Sequence, residues 1–139
     1  LQGIQGQQYL YHNPCHTPIK TMDGAKLASE LIGQNVPLSD RCCGESGMFA
    51  VKRPDIATQV KFRKQEEIEK NLAQLPQGEP VKMLTSCPAC LQGLSRYAED
   101  NNLPADYIVI EMAKRILGEN WLDEFVGKAK NGGIEKVLL

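Results

Sequence analysis

Five cysteines are the residues of this chain best suited to chemistry: Cys15, Cys42, Cys43, Cys87 and Cys90. Thiolates are nucleophiles, redox partners and ligands for soft metals. None of the five stands singly inside an apolar stretch, where a core cysteine would sit. Their number is odd, and no signal-peptide pattern opens the chain, so a disulfide framework is not expected. In a reducing cytoplasm such a set points to metal or thiol chemistry.

The cysteines fall into three motifs. Cys87-Pro88-Ala89-Cys90 has the spacing of a ligand pair or a redox pair. At a helix start, free backbone N–H groups and the helix dipole would favour its thiolates. Cys42-Cys43-Gly44-Glu45-Ser46-Gly47 is rarer. Adjacent cysteines point in different directions, which suits an object larger than one tetrahedral ion, such as a cluster of several irons. Gly44 and Gly47 would permit positive φ and a close approach of backbone to that object. Their N–H groups could donate to sulfur and tune its potential. The third motif, His12-Asn13-Pro14-Cys15-His16, adds the fifth thiol and two imidazoles. The plainer roles for the imidazoles are structural: His12 packing in a strand, and His16 hydrogen-bonding beside the site. Glu45 is the one carboxylate within a motif and is given no catalytic role. A nucleophile triad, a Walker loop and a dinucleotide fingerprint are all missing from the sequence.

These motifs need elements to hold them. Tyr9–His12 reads as a short strand ended by Asn13-Pro14. Thr21 or Asp23 can cap a helix over 24–33, with Leu27, Ala28, Leu31 and Ile32 as its apolar side and Gly33 as its stop. Val36–Leu38 is a weak strand, an edge candidate because of Pro37. Met48–Val51 is ambiguous between helix and strand. The longest helix spans 54–74: Ile56, Val60, Ile68 and Leu72 recur every four residues, with one miss at Lys64. Residues 61–70 otherwise read as a solvated, mixed-charge face.

Val81–Thr85 is a strand, and Ser86-Cys87-Pro88 turns it into a helix over 88–100 with Leu91, Leu94 and Ala98 buried. Tyr107–Ile110 reads as a continuous apolar strand, buried on both faces. A helix from Met112 to Leu117 follows, and Asn120 caps a last helix containing Trp121, Leu122, Phe125 and Val126. The alternation predicts an α/β fold: a small, mainly parallel sheet flanked by helices, with right-handed crossovers. Each cysteine motif then follows a strand, and sites in such sheets gather at the carboxyl ends of the strands. Intervals of 26 residues between Cys15 and Cys42, and 43 between Cys43 and Cys87, each hold one helical crossover. Five distant thiols can therefore converge on one edge.

The chain has 139 residues, one domain by default and enough to bury a core. Apolar residues make up 42% and charged residues 24%, which excludes wholesale disorder. A formal net charge of −1 gives no electrostatic case for nucleic acid. The sequence has no apolar run of the roughly 18 residues a membrane span needs. Residues 1–7 are a frayed lead-in and 8–139 a single domain. The chain opens on Leu1, not Met, and is expected to be a piece of a longer protein.

Asn-Pro-Cys-His, Cys-Cys-Gly-x-x-Gly and Cys-Pro-x-Cys together resemble the cysteine-rich CCG domain. That family occurs in heterodisulfide reductase. It also occurs in the iron–sulfur subunits of glycolate oxidase, anaerobic glycerol-3-phosphate dehydrogenase and lactate utilisation proteins. The stretch from Asp40 to Arg63 is most similar to the C-terminal part of bacterial FAD-linked oxidases fused to iron–sulfur modules. The resemblance covers roughly residues 8–118. It implies that Cys15, Cys42, Cys43, Cys87 and Cys90 are metal ligands. In the best-understood members the matching cysteines hold a non-cubane [4Fe-4S] cluster; others hold an ordinary cluster or zinc. Gly44, Gly47 and His16 would line the bound group.

The resemblance also implies an electron-transfer domain of a flavin-dependent oxidoreductase acting on a 2-hydroxy acid such as lactate or glycolate. FAD would sit in another part of the parent protein. Flavin and ferredoxin-like domains would be its partners, with a quinone or a disulfide as acceptor. The location would be cytoplasmic, free or peripheral on the inner membrane face, and the isolated domain would not turn over the organic acid. Two alternatives stand beside this. Four thiols could hold a structural zinc ion in an interaction domain, leaving one idle. Cys87 and Cys90 could act as a dithiol oxidoreductase, which leaves Cys15, Cys42 and Cys43 unexplained.

Overall fold

A computed structural model of the chain describes residues 3, 6–14, 17, 21–39, 41–44, 49–76 and 78–133. Its centre is a four-stranded parallel sheet in the order β2-β1-β3-β4. The strands are β1 (Gln8–His12), β2 (Leu38–Ser39), β3 (Val81–Thr85) and β4 (Ala105–Tyr107). The helices are α1 (Gly24–Ile32), α2 (Phe49–Lys52), α3 (Pro54–Gln74), α4 (Pro88–Leu94), α5 (Tyr97–Asp100), α6 (Ile108–Leu117) and α7 (Trp121–Lys128). The expected α/β class and parallel sheet are what forms.

Residues of opposite parity along the strands build two cores, because successive side chains leave a strand on opposite faces. Leu10 and Met83 pack with Ile68 of α3, Leu94 of α4 and Tyr97 of α5. Tyr9, Tyr11 and Leu84 pack with Ala28 and Ile32 of α1 and Ile108 of α6. The chain leaves β1 toward one sheet edge through α1. It returns past β1 to β3 through α3, on the other face. Crossovers that run in opposite directions must lie on opposite faces if both have the same hand. Connections from β1 and β3 therefore part in opposite directions, and the crevice between their carboxyl ends is the place where such sheets bind ligands.

Local chemistry explains the element ends. The Asp23 side chain accepts the Lys26 N–H at 3.0 Å and starts α1, and Gly33 at φ 82° ends it. Thr21 is not the cap. Pro54 in the first turn and Asp55 behind it start α3 at the expected residue. Gln7, expected to fray, bonds through its side chain to Pro80 O at 3.0 Å, and its carbonyl accepts from Gln34.

Several expectations are corrected. The strand expected over 107–110 is instead the end of β4 followed at once by α6. Tyr107 pairs with Thr85, the last residue of β3, so beyond it the chain has no ladder to join. Ile108, Glu111, Met112 and Arg115 then share a helical face, and Val109 is 64% exposed, not buried on both sides. The helix expected over 88–100 breaks at Ser95-Arg96. Tighter i→i+3 bonds there, Arg96 N–H to Gly93 O and Ala98 N–H to Ser95 O, bring Tyr97 under Leu94. Leu91 and Ala98 are only half-buried. The weak second strand is Leu38–Ser39, starting two residues later than expected and ending one later. Asn120 precedes α7 but makes no capping side-chain bond. The solvated reading of 61–70 fails at Lys64, which has no exposed surface, whereas Ile68 of the apolar row is buried as expected.

Candidate metal centre

The site is built where the strands end. The last residues of β1, β2 and β3 are His12, Ser39 and Thr85, and all three are buried. His12 pairs in register with Ser39 on one side and Thr85 on the other. The Thr85 hydroxyl donates to the His12 carbonyl at 3.2 Å, closing the ladder at this end.

The loop after β2 then carries Cys42 and Cys43 over the sheet edge. Two residues in the left-handed region turn it, Arg41 at φ 74° and Gly44 at φ 78°. At Arg41 that conformation costs about 1–2 kcal/mol; at Gly44 it needs glycine, and a side chain there would also meet Val60 of α3. The two adjacent thiols diverge, as their adjacency requires. Cys42 is exposed, and its sulfur accepts the Gly44 N–H at 3.3 Å. Cys43 turns inward, its sulfur 3.4 Å from that of Cys90.

Cys87 sits at the N-cap position of α4, and Pro88 occupies the first turn. Backbone N–H groups at the helix start, chiefly that of Cys90, hold the Cys87 thiol below its ordinary pKa. Burial opposes them, and the Cys90 side chain and the Ala89 N–H assist. The amides act on the sulfur without closing a capping hydrogen bond. Cys90 is shifted the other way: burial and then the neighbouring Cys43 push its thiol well up. In the free protein Cys87 is thus the more acidic thiol of the pair.

Among the described residues an imidazole reaches these thiols, that of His12. A ring nitrogen of His12 and the sulfurs of Cys43 and Cys90 all lie within 4.8 Å of one another, a grouping that can hold a metal ion. Two sulfurs at about 2.3 Å from one tetrahedral ion stand about 3.8 Å apart, close to the separation of Cys43 and Cys90. The packing of His12 in the strand is as expected; its place at the site is additional. Cys15, His16, Glu45 and Gly47 lie outside the described residues.

Behind His12 is a group that sequence reasoning missed. The Lys64 Nζ lies 3.1 Å from His12 Nδ1, 3.1 Å from the Ser39 carbonyl and 3.0 Å from the Ser39 hydroxyl. The signal was present: Lys64 is the one polar break in the row Ile56, Val60, Ile68 and Leu72. Its position in that row directs it at the sheet, and its length carries the nitrogen to the strand ends.

Comparison with known families fits this geometry. Residues 9–95 match the family model described as a cysteine-rich domain, CCG, and residues 95–139 match one described as a domain of unknown function. The two matches meet at the break between α4 and α5, yet β4, beyond the break, completes the sheet. No curated protein and no solved structure matches the chain. Among the described residues no helix is long and apolar enough to cross a membrane. The CCG match spans more than half of the chain and contains all three thiol motifs, so the protein belongs to the cysteine-rich CCG domain family.

Proposed function

We propose that this protein binds an iron–sulfur cluster through its thiols and serves as an electron-transfer domain. The observation that carries the reading is the meeting of Cys43 and Cys90, 47 residues apart, beside Cys87 at the switch point of the sheet. The donor set fits such a group: thiolates are the usual ligands of iron–sulfur clusters. Cys42, Cys43, Cys87 and Cys90 would hold it, with Cys15 as the fifth ligand. When bound, the cluster would supply one-electron chemistry.

The chain's own part is to place and tune. Diverging Cys42 and Cys43 present sulfur in two directions, as a body wider than one ion needs. Amides at the start of α4 favour the thiolate of Cys87, which lowers the proton cost of ligation. Gly44 keeps the loop close to α3, and Gly47 and His16 would line the group. Burial of Cys90 and His12 keeps water from one side of the site. By likeness to the family, the larger reaction would be flavin-dependent oxidation of a 2-hydroxy acid. Flavin and ferredoxin-like domains would be the partners, and residues 8–139 one domain at the end of that electron path.

A structural zinc site is the second reading. It is favoured by the compact grouping of Cys43, Cys90 and His12, which a single ion can span. Iron, sulfide and zinc analysis after anaerobic reconstitution separates the two, with absorbance and EPR on the same sample. About four irons per chain, lost on Cys43→Ser or Cys90→Ser, is the expected result. One zinc per chain and no iron under any condition would establish the second.

A further inference from the structure

We propose that Lys64 is a positioning residue that makes His12 an N–H donor to the thiol centre and keeps it from being a metal ligand. A neutral imidazole has one nitrogen with a proton and one with a free lone pair. A lysine ammonium has three donors and nothing to accept with. The Lys64 Nζ faces three atoms at 3.0–3.1 Å: the Ser39 carbonyl, the Ser39 hydroxyl and His12 Nδ1. The carbonyl can only accept, and the hydroxyl and Nδ1 are both able to.

With Lys64 donating to Nδ1, the ring proton of His12 sits on Nε2. Whichever ring nitrogen faces the sulfurs then has no lone pair for a metal. Nδ1 is occupied by Lys64, and Nε2 carries a proton. Turned toward the sulfurs, Nε2 offers them its N–H, a contact that stabilises thiolate charge and raises the reduction potential of a thiolate-bound group. The set of three donors that could hold an ion is thereby reduced to two thiols and a polar neighbour. Lys64, Ser39 and His12 are all buried, so the arrangement is held by packing from both sides.

The direction of the Lys64–His12 bond belongs to the metal-free chain; its effect on a bound group rests on the thiol-centre reading above. The test separates them. Long-range proton–nitrogen NMR on the metal-free, nitrogen-15-labelled full chain reads the tautomer of His12, with His16→Gln assigning the second histidine. The Nε2–H tautomer is expected, and Lys64→Met should convert it to a mixture. An Nδ1–H tautomer or an imidazolium at neutral pH in the wild type overturns the proposal, whether or not the variant folds.

Cobalt(II) loading gives the second readout. His12→Gln keeps an N–H donor, so the thiolate-to-cobalt and ligand-field bands should stay in place. His12→Ala should weaken binding about 10–100-fold, as loss of an outer contact does. A shift of the ligand-field bands in His12→Gln would make His12 a ligand and defeat the proposal. If the chain takes up neither iron, zinc nor cobalt, the thiol-centre reading falls, and the tautomer alone decides this one.

Discussion

Lys64 and Lys82 are both drawn into the fold, from opposite faces of the same sheet, and their surroundings differ. Lys82 lies on β3 and meets Glu111 of α6 at 2.9 Å and Asp106 of β4 at 3.9 Å. Glu111 in turn accepts from the Tyr9 hydroxyl, and Arg115 donates to that hydroxyl at 2.9 Å and to Ile32 O at 2.7 Å. Arg115 also lies over the Tyr9 ring, 5.2 Å from its centre. This network ties α6 to three strands and contains neither a thiol nor an imidazole. Lys64 has no exposed surface, and its described contacts are a ring nitrogen and the backbone and hydroxyl of Ser39, one step from two thiols. One lysine fastens elements; the other is wired to the site. A buried charge is informative when its neighbours are themselves reactive.

The largest expected effect follows from truncating Lys64. Lys64→Ala removes a fully buried stem and leaves His12 and Ser39 short of a donor, and should cost about 2–5 kcal/mol in urea unfolding of the metal-free protein. Lys64→Met keeps the volume and should recover part of that loss. If Lys64→Ala were as stable as wild type, the packed arrangement behind His12 would be wrong.

Next in size is the network around Lys82. Lys82→Met leaves Glu111 largely buried beside fewer cations and should cost about 1–3 kcal/mol. The double variant Lys82→Met/Glu111→Gln should be more stable than the sum of the single changes predicts, because the two groups are in contact. An additive result would break the comparison.

The two regions should also separate by pH. Burial works against the Glu111 carboxylate, but bonds from Tyr9 and Lys82 outweigh it and hold its pKa below the ordinary value. A carboxyl lowered on folding contributes stability above its unfolded pKa of about 4.3 and loses it as pH falls through the lower folded value. The stability difference between wild type and Glu111→Gln should therefore be full at neutral pH and shrink in acid. Differential unfolding curves from neutral pH down into acid check this.

The smallest effect is expected at Tyr9. Burial, and then its bond to Glu111, push the phenol from 10.0 to about 12. A group raised on folding contributes stability below its unfolded pKa and loses it as pH rises through the folded value. Tyr9→Phe should cost about 0.5–1.5 kcal/mol at neutral pH. The gap to wild type should close between pH 10 and about 12, as followed by thermal melts.

The sequence by itself determined the α/β class, the parallel sheet, α3 to the residue and the placing of Cys42-Cys43 and Cys87-Cys90 after strands. Each rests on short-range chemistry: Pro54 and Asp55 open α3, Asp23 and Gly33 bound α1, and the alternation of strand and helix leaves few topologies. Only the tertiary structure decided that Ile108 begins a helix. An apolar run of four carries no period, and the end of β3 at Thr85 settled where pairing must stop. The tertiary structure also brought the His12 imidazole to the thiols. Its motif gives His12 no mark of that role; its place at the thiols follows from closing a strand whose neighbours in register are Ser39 and Thr85. Lys64 is the sharpest case. Read along its helix it is a flaw in an apolar row; read across the sheet it is a buried donor to His12. Helical periodicity assigns a face to a residue, and only the packing of α3 on the strand ends says what that face meets.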